Sequence, residues 1–85
     1  MFQAKYIVLK DEGFGLEKPI IFDPFISHAD MARKFPGDKV VGAGFMQIIP
    51  DKETPTIKCF GVSDSLGISA REKDSALLTR IVCRQ

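Results

Sequence analysis

The chain has 85 residues, twelve Lys and Arg against eleven Asp and Glu, and a formal net charge of +1. A single domain of this size (residues 1–85) buries only about 60–65% of its unfolded surface, so its stability margin is thin. The 45% apolar content implies a packed core rather than disorder. The balanced charge, with no basic stripe, gives no expectation of a nucleic-acid partner, and the longest apolar run, Val40 to Met46, is too short to span a bilayer.

The first element is a strand from Phe2 to Leu9. Phe2, Ala4, Tyr6 and Val8 share one face; Gln3 and Lys5 begin the other, which turns apolar at Ile7 and Leu9. Gly13 and Gly15 mark a loop around Phe14, and Pro19 to Phe22 forms a short strand stopped by Asp23-Pro24. Ser27, with Asp30 three residues on, signs the start of a helix, and Ile26 and Met31 are placed for a hydrophobic staple. Pro36-Gly37 ends that helix.

Lys39 to Ile49 is the strongest strand signal. Strict alternation sets Val41, Ala43, Phe45 and Ile49 on one face and Val40, Gly42, Gly44, Met46 and Ile48 on the other. Gly42 and Gly44 leave a bare patch that accepts a close helix, an aromatic ring or a ligand, the helix being favoured. A polar turn over 50–55 leads to an antiparallel strand, Thr56 to Val62. Ser69 and Glu72 then predict a capping box for a second helix with an apolar stripe of Leu77, Leu78, Ile81 and Val82. The order is strand, strand, helix, strand, strand, helix. It predicts an α+β, two-layer sandwich of ββαββα order: a mainly antiparallel four-stranded sheet with both helices on one face.

The stretch from Ser63 to Arg71 holds the chemistry most open to reading. Ser63, Ser65 and Ser69 offer hydroxyls, Gly67 permits a tight bend, and Arg71 adds charge beside a helix start, so the loop is a candidate anion site. Local capping and turn formation explain the same residues without a ligand. His28, the single histidine, and Cys59 are secondary candidates. A nucleophile–base pair between them, or between His28 and a serine, would need tertiary contact. Cys59 and Cys83 read as free thiols of a reducing compartment, which makes the cytoplasm the expected address. No basic n-region precedes an apolar segment at the N-terminus, so no signal peptide is expected. Neither a clustered metal-ligand set nor a cofactor motif is present in the sequence, and no metal or cofactor is expected.

Three stretches, Ser27-His28-Ala29-Asp30-Met31-Ala32, Val40-Val41-Gly42-Ala43-Gly44-Phe45 and Cys59 through Gly67, resemble small proteins of unassigned function encoded in bacteriophages and prophages. The likeness runs from about Phe22 to Leu78 and carries no active site. It implies a bacterial or phage-infected cytoplasm. The expected function is a non-enzymatic binding or regulatory protein that docks on a host protein or holds a small anionic ligand. A structural homo-oligomer is the alternative, and a small hydrolase-type enzyme ranks last.

Overall fold

The computed structural model describes residues 2–51 and 53–82. The strands are β1 (Phe2–Asp11), β2 (Glu17–Phe22), β3 (Asp38–Ile49), β4 (Thr56–Phe60), β5 (Val62–Ser63) and β6 (Ile68–Ser69). The helices are α1 (His28–Ala32) and α2 (Asp74–Val82). β1 to β4 form one antiparallel sheet in the order β2-β1-β3-β4, and β5 and β6 form a separate hairpin. The α+β class and the four-stranded sheet with two helices therefore match the expectation. The hairpin is an addition to the expected order, set in the Ser/Gly loop. Among the described residues no helix is long and apolar enough to cross a membrane.

The two helices occupy opposite faces of the sheet, not one. Tyr6 and Val8 join Met46, Ile57 and Leu78 in a core beneath α2. Ile7 and Leu9 join Phe22, Met31 and Ala43 in a second core beneath α1. Tyr6 to Leu9 are each at most 1% exposed. A strand apolar at consecutive positions has two sides to shield, and leaving Ile7 and Leu9 in water would forfeit about 1.5–3 kcal/mol apiece. One layer of helices cannot do this.

A β-bulge also corrects the alternation of β3. Val8 pairs with Gly42 but Leu9 pairs with Val40, so Val41 is the extra residue. Val40 consequently packs in the α1 core and Val41 in the α2 core, the reverse of strict alternation.

The second half of the chain departs most from its local signals. The strand expected through Val62 stops at Phe60, because Gly61 turns the backbone to φ +85°. Ser69 lies in β6 and caps nothing; α2 starts at Asp74, where the Asp74 N–H donates to the Arg71 carbonyl at 3.0 Å. Ser27 does cap α1, accepting the Asp30 N–H at 3.0 Å, and Ile26 packs in the same core as Met31. α1 ends at Ala32, before Pro36-Gly37.

Candidate functional site

The five residues expected to gather round an anion do not converge. Ser63 is fully buried; its hydroxyl accepts the Leu66 N–H at 3.2 Å and its carbonyl accepts the Gly67 N–H at 2.8 Å. Gly67, at φ +67°, closes that turn, and Ser69 pairs with Val62 in the hairpin. These three build the hairpin. Ser65 alone reaches outward from it, its Oγ accepting the Ala29 N–H of α1 at 3.2 Å.

Arg71 sits against the opposite face of the sheet and is already engaged. Its Nη1 and Nη2 donate to both carboxylate oxygens of Glu17, at 3.2 and 2.9 Å. Its Nε donates to Asp74 Oδ1 at 2.9 Å and its backbone N–H to Asp74 Oδ2 at 2.9 Å. Asp74 is fully buried, and the Tyr6 hydroxyl donates to its Oδ2 at 2.6 Å. The Arg71 hydrogen bonds hold the Glu17 carboxyl below the usual range, while burial and then Asp74 push the Tyr6 phenol upward. With two carboxylates in its fork, Arg71 has its charge matched and four of its five N–H donors engaged within the chain.

The glycine patch is filled from within. A Cβ on Gly42 would come within 2.7 Å of Asp74 Oδ2 and 2.9 Å of Arg71 Nε. A Cβ on Gly44 would come within 2.5 Å of the Phe60 carbonyl oxygen. The occupants are the turn leading into α2 and the backbone after β4. Cys59 belongs to this face too, opposite Met46; its N–H donates to Ser75 Oγ at 3.2 Å, and burial pushes its thiol upward. Cys83 lies outside the described residues.

His28 is on the α1 face, so the sheet separates it from Cys59. No hydroxyl among the described residues bonds its ring, and the nucleophile–base pair is not assembled. His28 is 4% exposed, and its ring meets Phe22 and Phe45 edge-on, each with centroids 5.6 Å away. Its Nε2 lies 2.8 Å from the Gly44 carbonyl oxygen. A carbonyl only accepts, so Nε2 carries the proton and, in the neutral ring, Nδ1 is left as an acceptor. Nδ1 has no hydrogen-bond partner among the described residues.

His28 lines a pocket of about 230 Å³ with Lys5, Ser27, Phe45 and Ser65, and with Val62 and Asp64 at its hairpin side. Each serine accepts an α1 N–H; the Ser27 O–H stays available as a donor, while Ser65 Oγ also meets Ser63 Oγ at 3.5 Å. Lys5 Nζ donates to the Ile26 carbonyl at 2.9 Å and retains two further N–H donors. The Lys5 ammonium, two serine hydroxyls, the His28 ring and the Asp64 carboxylate thus line a concavity with an apolar wall. A larger hollow of about 350 Å³ beside β2 is walled by Asp11, Glu17, Lys18 and Asp38, but its Glu17 is committed to Arg71.

Of the sequence candidates, His28 and Ser65 meet in this pocket; Lys5, Ser27, Phe45, Val62 and Asp64 join them unforeseen. One signal was present in the sequence. Gln3 and Lys5 are polar on the face that turns apolar at Ile7 and Leu9, as expected where a face is covered over half its length. Among the described residues no group of three His, Cys, Asp or Glu is placed to hold a metal ion. Comparison with family models, with curated proteins and with solved structures finds no match for this chain.

Proposed function

We propose that the protein is a binding or regulatory protein that holds a small anionic group, best a carboxylate, in the pocket between α1 and the β5–β6 hairpin. The observation that carries this reading is the convergence of Lys5 with the hydroxyls of Ser27 and Ser65 on one concavity. Ser65 keeps the role expected of it, and Lys5 replaces Arg71 as the cation. His28, held by Gly44, offers its Nδ1 to a donor on the same ligand. A binder of this size suits the phage or prophage setting that the resemblance implies.

A homo-oligomeric building block, the second reading, has less support from the sheet edges. β2 carries Pro19, which has no N–H to donate, and the Cys59 N–H of β4 is taken by Ser75.

The test is an amide-resolved NMR titration with acetate and with inorganic phosphate. Saturable shifts at Ala29, Val62 and Ser65, lost in Lys5→Met, are the expected outcome. Titrations that leave those amides unmoved, or shifts that persist undiminished in Lys5→Met, would overturn the assignment.

A further inference from the structure

α1 covers only half of its face of the sheet. Its core is Ile7, Leu9, Phe22, Met31 and Ala43. The other half of that face is carried by Gln3, Lys5, Phe45, Gln47, Lys58 and Phe60, brought side by side by the pairings Gln3↔Gln47, Lys5↔Phe45, Gln47↔Lys58 and Phe45↔Phe60. Gln3 and Lys58 are exposed and the other four half-buried. The pocket opens at one side of this area, since Lys5 and Phe45 belong to both. Val62, on the pocket wall, is 51% exposed, and Phe25, two residues before Ser27, is 95% exposed.

We infer that this half-face receives an extended acidic segment of a partner protein, with one carboxylate in the pocket and neighbouring apolar side chains against Phe60, Val62 and Phe25. The inference rests on the pocket reading above and names its ligand. Charge complementarity is the first reason. The six residues of the half-face include two lysines and no carboxylate, and Lys58 has no ion pair among the described residues. Size is the second: at about 230 Å³ the pocket is smaller than the clefts of about 300 Å³ or more that take drug-sized ligands, and it suits a single side chain. Val62, exposed on the pocket wall, and Phe25, exposed two residues before the lining residue Ser27, are the third, because they gain only from a ligand with apolar surface of its own. A single-stranded nucleic acid fits less well. The rings of Phe45 and Phe60 stack on each other with centroids 6.0 Å apart, and His28 meets the Phe45 ring, so the platform for bases is already partly used.

The experiment uses fluorescence anisotropy with three labelled probes: a peptide of alternating Asp and Leu, its Asn and Leu counterpart, and an oligothymidylate. The acidic peptide is expected to bind about tenfold tighter than the Asn counterpart. Lys58→Glu and, separately, Phe25→Ala are expected to weaken it several-fold while acetate still shifts the Ser65 amide. Both positions are exposed, so neither change threatens folding. If acetate fills the pocket but the two peptides bind alike, the partner inference falls and the pocket reading stands. If the oligothymidylate binds tighter than the acidic peptide and Lys58→Glu removes it, the face belongs to nucleic acid and the inference is overturned. If acetate also leaves Ser65 unmoved, both fall together.

Discussion

Asp74 has no access to water, and four donors are arranged around it from Arg71 and Tyr6. A buried carboxylate without partners would cost several kcal/mol, so this geometry is a condition of folding rather than an ornament. Tyr6 gives the cluster a measurable signature because it is the chain's single tyrosine. Its pKa in the folded state lies above the unfolded value of about 10, so its contribution is complete below that pH and declines as the pH rises beyond it. Alkaline titration should therefore show the phenolate band emerging only together with loss of the native circular dichroism. Tyr6→Phe should soften the alkaline loss of stability and cost about 1–3 kcal/mol near neutrality, where Asp74 is left short of a donor. A phenolate band that grows while the native spectrum persists would contradict this account. None of this was legible beforehand. Arg71 and Asp74 are near neighbours in sequence, but Glu17 and Tyr6 lie far off, and no local pattern marks a carboxylate as interior.

Elements set by adjacent residues could be read from the sequence, and those set by distant packing could not. Ser27 and Asp30 announce α1 because a cap needs only its own first turn. Ser69 and Glu72 make the same local offer, yet the β5–β6 hairpin and the Asp74 cluster take that stretch for other uses. Gly61 reads as part of a strand and Gly67 as a loop residue, yet both take positive φ, and their environments separate them. Alanine at Gly61 would suffer positive φ and a Cβ contact of 2.9 Å with the Phe45 ring; at Gly67 it would suffer positive φ in open space. We expect Gly67→Ala to cost about 1 kcal/mol and Gly61→Ala about 2 kcal/mol or more, read as a larger fall in Tm for the second. Equal losses would show that the Phe45 ring yields freely to the added methyl.

Taken whole, the molecule is a sheet dressed unequally on its two sides. The α2 side is sealed by an apolar core and an ion cluster; the α1 side is closed at one end and leaves lysines, glutamines and paired Phe rings at the other. The alternation of β1 pointed to both states of that second side, since Gln3 and Lys5 precede Ile7 and Leu9. It could not say that the helices divide between the faces, because a strand signal does not specify what covers it.

The doubled position in β3 makes Val40 and Val41 correspondents of different hemispheres. Trimming each to alanine should leave a distinct footprint in amide hydrogen exchange: faster around Met31 for the first, faster around Leu78 for the second. Two consecutive codons would then loosen the molecule from its two sides independently, and a single shared footprint would mean that the strand keeps one phase after all.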